Sequence, residues 1–189
     1  MEKTDNKEEK LNLVLFPWIN WAYTLINNKR LKGGNAFRHG FAVLGILIDY
    51  KYYTSVLLKC SLIHDIIEDN FENDHKKIEE MRNIDQDGHA VVNLLHEVSK
   101  RRDETKEDYL RRVRDTGSRE AKILKVADRI DNVCDTNRDI WSAEKIRRYL
   151  DQTTEFVLPM ALEVNRDMYK ELSDLVKIKT EIINSGVYK

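Results

Sequence analysis

The chain has 189 residues, 41% of them hydrophobic and 34% charged, and its formal net charge is -1. This length and balance predict one folded domain with a sizeable core, and they exclude the basic excess that is typical of nucleic-acid-binding proteins. No apolar run reaches about 18 residues, the length of a membrane span, and the start MEKTDNKEEK does not form a secretory signal, so a cytoplasmic protein is expected.

Apolar residues recur at helical spacing along nearly the whole chain, which contains only two prolines. The first predicted helix covers 11–27, and Pro17 would either kink this helix or mark its true start. A loop over 28–35 follows, because its glycines permit a positive φ. Further helices are predicted over 37–48, 54–68, 75–82, 87–100, 106–114, 119–134, 142–154 and 159–183. No segment shows sustained alternation, so the sequence predicts an all-α fold with a single domain over 1–189.

The run His64-Asp65-Ile66-Ile67-Glu68-Asp69 is the most informative segment of the chain. Read as a helix, it places residues 64 and 68, and also 65 and 69, one turn apart, so that one arc presents an imidazole and three carboxylates. That much charge on one arc is costly unless a cation lies beside it. A divalent metal ion is the simplest cation that suits both neutral imidazole and carboxylate ligands.

Two further segments can complete a metal site. His39 lies at the start of the helix that follows the glycine loop, and Asp128 lies late in an amphipathic helix. The sequence therefore predicts four ligands for one ion: nitrogens from His39 and His64, and oxygens from Asp65 and Asp128. An octahedral ion would keep about two positions open for water and substrate; Mn²⁺ or Fe²⁺ suits this mixed set well, and Zn²⁺ or Mg²⁺ also fits.

Each of these pieces, taken alone, has a purely structural interpretation. An isolated His-Asp pair can be an ion pair on a helix surface, and a lone His39 can be a hydrogen-bonded structural histidine. Asp128 can simply pair with Lys125 or Arg129. The joint order of the pieces along one chain favours the metal site over these interpretations.

The order of His39, His64-Asp65 and Asp128 resembles that of the HD-domain metal-dependent phosphohydrolases. Within that group, HDIIEDN (64–70) and KVADRIDN (125–132) resemble the HDxxED box and the K-x-ADR-x-x-N segment of the RelA/SpoT hydrolase domain. The resemblance covers about residues 14–170. Weaker similarities lie in the stretch Glu97-Val98-Ser99-Lys100, in the basic residues before His39, and in Trp141, Ser142 and Tyr149, which are similar to the small single-domain, metazoan SpoT-homologue-like members.

The chain also departs from that pattern near the predicted site. Asn35-Ala36-Phe37-Arg38 stands where the family has Pro-Tyr-Ile before its first histidine, and Gly40 stands where it has Pro. Asp131 stands where the family often has His or Tyr. These departures bear on the identity of the substrate more than on metal binding.

The resemblance implies a helical HD-domain bundle that uses one metal ion, Mn²⁺ in our expectation, to hydrolyse the 3′-pyrophosphate of (p)ppGpp to GDP or GTP and pyrophosphate. We expect Glu68 and Asp69 to orient the attacking water and take its proton, with support of the metal ligands as their alternative role. Because the chain ends at Lys189, no synthetase domain of the kind found in the long bifunctional members is expected.

Basic side chains are expected to bind the phosphates of such a substrate by charge and by donor geometry. The candidates are Arg30, Lys32, Lys100, Arg129 and Lys145. Asn132 would hydrogen-bond a base edge or hold Asp128, and Tyr149 would stack on the substrate or donate to a phosphate. Arg129 has an alternative role, the anchoring of a helix through an acid such as Asp69.

Three functions remain open at this point. The first is (p)ppGpp hydrolysis, and the second is hydrolysis of another nucleotide, such as the 2′-phosphate of NADPH, a (d)NTP or a nucleoside monophosphate. The third is a nucleotide-binding regulator without turnover, which the intact set of ligands and acids disfavours. All three imply a small-molecule nucleotide as partner and involve neither nucleic acid nor a membrane, and the oligomeric state stays open.

Overall fold

The computed structural model describes residues 7–30, 33–68, 74–136 and 140–185. These segments are almost entirely helical; they contain no strand, only an isolated β-bridge between Lys29 and Asn35, and no helix in them is both long and apolar enough to cross a membrane. The all-α prediction is therefore confirmed. The helices are α1 (Lys7–Tyr23), α2 (Ala36–Asp49), α3 (Ser55–Ile63), α4 (His75–Arg82), α5 (Gly88–Val98), α6 (Lys106–Thr116), α7 (Arg119–Cys134), α8 (Ala143–Gln152), α9 (Leu158–Val164) and α10 (Arg166–Asn184).

Polar side chains fix many of the helix starts by accepting a hydrogen bond from a backbone N–H of the first turn. These side chains belong to Asn35, Asp74, Thr105, Ser118, Ser142 and Asn165. The cap at Asn35, whose side chain accepts from the Arg38 N–H at 2.8 Å, starts the helix that carries His39. A short 3-10 turn (Thr24–Asn27) follows α1, and a π-helical turn (Thr153–Val157) joins α8 to α9.

Two predicted helices are interrupted, and in both places a side chain bonds to the backbone. The helix predicted over 54–68 ends at Ile63, where the His64 ring bonds to the Ser61 carbonyl; residues 64 and 65 form a turn, and residues 66–68 are helical again. The helix predicted over 159–183 is broken at Asn165, which has an extended backbone and caps α10 with its side chain. Such local bonds compete with helical hydrogen bonding, and a hydrophobic pattern does not reveal them.

Helix α7 is the central element of the bundle. Every residue from 121 to 130 is buried, and α7 packs against α2, α3, α5, α6, α9 and α10. The buried positions include the charged side chains of Lys122, Lys125, Asp128 and Arg129. Burial of a charge is costly unless the charge is paired, so the contacts of this helix reveal where polar chemistry is concentrated.

Glycines control how closely α2 approaches its neighbours. A Cβ atom on Gly40 would lie only 2.4 Å from the Leu62 carbonyl oxygen, so the absence of a side chain permits the close packing of α2 on α3. This packing brings His39, beside Gly40, next to His64, just beyond the end of α3. Gly33 and Gly34 have φ values of +89° and +71°, as expected for the loop before α2.

Candidate metal centre

Two buried imidazole rings face each other where α2 meets the end of α3. The Nε2 atoms of His39 and His64 lie 3.1 Å apart, and the ring centroids lie 4.8 Å apart. The two residues are only 2% and 6% exposed. Two ring nitrogens this close together, away from water, need something positively charged between or beside them.

The other ring nitrogen of each histidine fixes its tautomer. His64 Nδ1 lies 2.8 Å from the Ser61 carbonyl oxygen, which only accepts hydrogen bonds, and His39 Nδ1 lies 2.5 Å from Asp131 Oδ2. Burial favours the neutral form of Asp131, but the His39 contact and Arg30 lower the pKa of this carboxyl, so it also accepts. In the neutral form of each ring the proton therefore resides on Nδ1, and the Nε2 lone pair is directed into the gap between the rings.

Two carboxylates border the same gap. Asp65 lies 3.4 Å from His64 Nε2 and 3.8 Å from His39 Nε2, and its ligand atom and those of both histidines all lie within 4.8 Å of one another. Asp128 Oδ1 lies 3.1 Å from His39 Nε2 and 3.6 Å from His64 Nε2. The four ligands predicted from the sequence thus come together, and we call them the candidate metal centre.

The charges of the candidate metal centre indicate that it attracts a cation. Burial alone would lower the pKa of both rings, but Asp128 and Asp131 raise the pKa of His39, and Asp65 and Asp128 raise that of His64 to about 9. The cluster therefore draws in positive charge, and a divalent ion competes with protons for the same lone pairs. Two nitrogens and two carboxylates fit such an ion, including Mn²⁺, Fe²⁺ and Zn²⁺.

Asp128 is held from both sides. Lys125 Nζ donates to Asp128 Oδ2 at 2.7 Å, and the Asn132 side-chain amide donates to Oδ1. Burial alone would raise the pKa of Asp128, but Lys125 and the two histidines keep it well below its usual range. The contact of Asn132 with Asp128 is the one that the second of its two predicted roles, support of Asp128, would use.

A cavity of about 370 Å³ opens beside the candidate metal centre. Carboxylates and cations line it together, and an aromatic pair forms another part of its wall. The lining includes Asp65, Glu68, Asp128, Arg30, Lys106, Lys125, Arg129, Asn132, Trp141 and Tyr149. Its volume falls within the range of small-molecule sites, which is about 300–1,000 Å³.

The acidic pair predicted to act on water is only partly described. Glu68 lines the cavity, and its Oε1 accepts a hydrogen bond from the backbone N–H of Lys100 at 2.5 Å. Asp69 lies outside the described residues. The side chain of Lys100 does not reach the cavity, because its ammonium donates to the carbonyls of Arg101 and Glu104 at 3.0 and 2.9 Å.

The predicted phosphate-binding residues before His39 also divide into two cases. Arg30 lines the cavity, but its guanidinium already donates to Asn132 Oδ1 at 2.6 Å and contacts Asp131 and Asp135 at 3.3 and 3.5 Å. Lys32 lies outside the described residues. Arg30 is therefore bound to α7 more firmly than the sequence indicated.

The remaining candidates lie around the aromatic wall. Arg129 is 1% exposed, stacks 4.2 Å from the centroid of the Tyr149 ring and donates to Thr153 Oγ1 at 3.0 Å. Its Nε has no hydrogen-bond partner among the described residues. Lys145 lies 4.4 Å from the centroid of the Trp141 ring on the outside of this wall and does not line the cavity.

Three residues of the site were not among the predicted site residues, although the sequence had indicated Lys125 as a structural partner of Asp128 and Asp131 as a departure from the family pattern. Asp131 and Lys125 lie three residues on either side of Asp128, so helical spacing already placed them on its face of α7. Lys106 has no comparable signal: it reaches the cavity from α6, with its ammonium 5.0 Å from the Tyr109 ring centroid. Burial of this ammonium, followed by repulsion from Lys125 and Arg129, lowers the pKa of Lys106 to about 8.

Comparison with known proteins shows a structural likeness to a solved structure. No family model matches the chain, and no curated protein matches it. The solved structure of a metazoan ortholog of SpoT, which hydrolyses ppGpp and plays a role in starvation responses, is similar to it with a TM-score of 0.74. The likeness covers 88% of this chain and 95% of the SpoT ortholog at 20% sequence identity. The chain therefore shares the fold of this SpoT ortholog, in agreement with the resemblance found in the sequence.

Proposed function

We propose that this chain is a metal-dependent phosphohydrolase that cleaves the 3′-pyrophosphate of (p)ppGpp, releasing GDP or GTP and pyrophosphate. The single observation that carries the proposal is the candidate metal centre, in which two Nε2 lone pairs and two carboxylates converge beside a cavity. The sequence motifs and the fold shared with a ppGpp-hydrolysing protein support the same substrate class.

His39, His64, Asp65 and Asp128 would hold the ion, and we propose Mn²⁺. When bound, such an ion supplies Lewis-acid chemistry, because it polarises a phosphoryl oxygen and lowers the pKa of water. The chain itself contributes the fixed tautomers of both rings and the two donors that orient Asp128. The ligands are thus already oriented before substrate arrives.

Glu68 is the described acid best placed to handle the proton of the attacking water. Its carboxylate lines the cavity next to Asp65, and the bond from the Lys100 N–H occupies one of its two oxygens and fixes its position. We propose that Glu68 orients the water and takes its proton, and that Asp69 shares this role. General-base assistance of this kind contributes about 10²–10⁴-fold to a rate.

Two cations that line the cavity, Lys106 and Arg129, would bind the phosphates. Lys106 and Arg129 reach the cavity without a carboxylate partner among their described hydrogen bonds and ion pairs, and the Nε–H of Arg129 is left over as a donor. A pyrophosphate group would satisfy these donors and relieve the repulsion among the ammonium and guanidinium groups. We therefore propose that Lys106 and Arg129 bind the phosphates and that Arg30 contributes less.

The test is incubation of the purified protein with Mn²⁺ and ppGpp, with the products separated by chromatography. We expect stoichiometric GDP and pyrophosphate. Glu68→Gln should lower the rate by about 10²–10⁴-fold while Mn²⁺ still binds, because the acid is placed beside the ligand set and not within it. Glu80→Gln is the matched control, since Glu80 is an exposed acid on α4 that pairs with Lys77.

Absence of both products at full Mn²⁺ occupancy would refute alarmone hydrolysis. Tight binding of ppGpp without any product would instead indicate a nucleotide-binding regulator. Equal rates for Glu68→Gln and the unmodified chain would remove Glu68 from the mechanism.

A second candidate function is hydrolysis of another nucleotide phosphate, and the contacts of Arg30 favour it. Because Asn132, Asp131 and Asp135 already engage this guanidinium, the side of the cavity near Arg30 carries less uncompensated positive charge than a highly phosphorylated ligand requires. A panel of ppGpp, NADPH, dGTP and a nucleoside monophosphate separates the candidates. Release of monophosphate from NADPH, with none of the products of ppGpp, would select this second function.

A further inference from the structure

The two histidines of the candidate metal centre are held in different ways. His64 donates its Nδ1–H to the backbone carbonyl of Ser61, which lies three residues earlier in the last turn of α3. His39 donates instead to a carboxylate of α7, that of Asp131, at 2.5 Å. The Nδ1 side of the His39 ring is therefore held by a side chain that is distant in sequence.

Asp131 is itself held in place by charge. The Nη1 atom of Arg30 lies 3.3 Å from Asp131 Oδ2, the same atom that accepts a hydrogen bond from His39. Arg30 also donates to Asn132. The carboxylate is 16% exposed, which leaves it little freedom to turn away from the ring. The contacts thus form a chain from the guanidinium of Arg30 through Asp131 to His39 and its Nε2 atom.

A carboxylate behind a metal-binding imidazole has two physical effects. It keeps the proton on Nδ1, so that Nε2 presents its lone pair, and it makes the ring a stronger ligand because positive charge developing on the imidazole is stabilised. A backbone carbonyl gives the first effect but less of the second, because it carries no net charge. His39 is by these criteria the stronger nitrogen donor of the pair.

We propose that Asp131 is a positioning residue of the metal centre, which fixes the tautomer and orientation of His39 and increases its affinity for the ion. This inference rests on the metal centre of the proposed function, and it adds a residue that contacts neither the ion nor the substrate. It also assigns Arg30 a structural share in metal binding through the same carboxylate.

The test measures the binding of Mn²⁺ alone, without nucleotide, by electron paramagnetic resonance titration. Loss of a residue that supports a metal ligand typically weakens binding by about 10–100-fold. We expect Asp131→Ala to lie near the upper end of that range and Asp131→Asn near the lower end, because the amide oxygen still accepts from Nδ1 without a full charge. The rate of ppGpp hydrolysis at saturating Mn²⁺ should change far less than the affinity.

Asp135→Asn is the matched control. Asp135, the residue that follows α7, contacts Arg30 at 3.5 Å but has no described contact with His39, so its variant removes one acidic partner of Arg30 without altering the ring. Nitrogen-15 spectra of the imidazoles in the metal-free protein, at a pH where the His39 ring is neutral, give a second measurement. They should report one Nδ1-protonated tautomer for His39 in the unmodified chain and a mixture in Asp131→Ala.

The outcomes are separable from those of the proposed function. Equal Mn²⁺ affinity in Asp131→Ala, Asp131→Asn and the unmodified chain would overturn the inference even if ppGpp is hydrolysed. An equal loss in Asp135→Asn would also overturn it, because the cause would then be general charge and not the His39 contact. A selective loss in the Asp131 variants would support it even in a protein that hydrolyses no ppGpp. Thermal unfolding without metal shows whether each variant is folded, and Asp131→Asn, nearly isosteric, keeps the test available if Asp131→Ala is not.

Discussion

Two polar clusters are buried within this helical bundle, and they are completed in opposite ways. In the first, which we call the Lys59 cluster, Lys59 Nζ donates to Asp85 Oδ2 at 2.8 Å and to Asp87 Oδ2 at 2.6 Å. The second is the candidate metal centre, where two Nε2 lone pairs lie 3.1 Å apart beside two carboxylates. The chain supplies the cation of the first cluster, whereas the lone pairs of the second have no such partner among the described side chains.

The neighbours of the Lys59 cluster complete its hydrogen bonding. The Trp18 indole donates to Asp85 Oδ2 at 2.8 Å, the Asp87 backbone N–H donates to Asp85 Oδ1 at 2.9 Å, and Ser55 donates to Asp87. Lys59 itself has a side chain that is 3% exposed. Buried charge alone therefore does not mark a functional site. Charge that the chain leaves uncompensated beside a cavity is the stronger indication of one.

The largest expected effect is a loss of Mn²⁺ affinity when a metal ligand is removed, and it would distinguish the candidate metal centre from the Lys59 cluster. His64→Ala should weaken Mn²⁺ binding by more than about 100-fold, the upper range for residues that merely support a ligand, because it deletes one of the two nitrogens. Hydrolysis should be lost with it. Titration with Mn²⁺ and the ppGpp assay check both, with His89→Ala, an exposed histidine on α5, as control. If His64→Ala kept its Mn²⁺ affinity, the proposed difference between the two clusters would be refuted.

The next effect acts on the Lys59 cluster. Lys59→Met leaves two carboxylates near each other without their cation, and loss of one partner from a buried ion pair costs about 3–5 kcal/mol. Because the side chains of Asp85 and Asp87 are 25% and 21% exposed, we expect the lower end, about 3 kcal/mol, in the free energy of unfolding measured with urea. Mn²⁺ affinity should not change. A loss of metal binding comparable to that of His64→Ala would show that the two clusters are one unit.

Much of the candidate metal centre could be predicted from the sequence, because its signal is local or ordered along the chain. The adjacent pair His64-Asp65, an earlier His39 and a later Asp128 come together as expected. The expectation of a continuous helix through Glu68 was wrong, since α3 ends at Ile63, but the turn after α3 still presents His64 and Asp65 to the same gap.

The residues proposed to bind phosphate were harder to predict, because a basic residue in a sequence carries no information about the direction of its side chain. Lys100 and Lys145 were both predicted to bind phosphate, but neither lines the cavity. The Lys100 ammonium bonds to loop carbonyls, and the Lys145 ammonium stacks on the Trp141 ring. Lys106 reaches the lining only because α6 packs there. The Lys59 cluster was missed for the same reason, since Asp85 and Asp87 meet Lys59 through tertiary packing.

A slightly smaller effect is expected from the addition of metal. An ion that binds only the folded chain stabilises it by RT ln(1 + [L]/Kd), or about 2.7 kcal/mol at a hundredfold excess over Kd. The unmodified chain and Lys59→Met should gain this amount alike, and His64→Ala, with its more than 100-fold weaker binding, should gain less than about 0.4 kcal/mol. Urea unfolding with Mn²⁺ and with a chelator checks this. Equal gains in all three chains would place the stabilising ion elsewhere.

The smallest expected effect is a pH dependence of the free energy of unfolding that arises from the Lys59 cluster. Burial tends to raise the pKa of Asp85, but its bonds from Lys59 and Trp18 outweigh this, and the Lys59 bond is the main cause of the lowered pKa of Asp87. A carboxyl with a pKa below its unfolded value of about 3.9 contributes stability that is present above about pH 5 and is lost as pH falls through the folded pKa. Without Lys59 this contribution is largely absent, so the stability difference between the unmodified chain and Lys59→Met should be smaller at a pH below the folded pKa values of the two carboxyls than at neutral pH. Urea titrations at both pH values, with chelator present, measure it; a difference that stays constant would mean that Lys59 stabilises the bundle by packing and not by its charge.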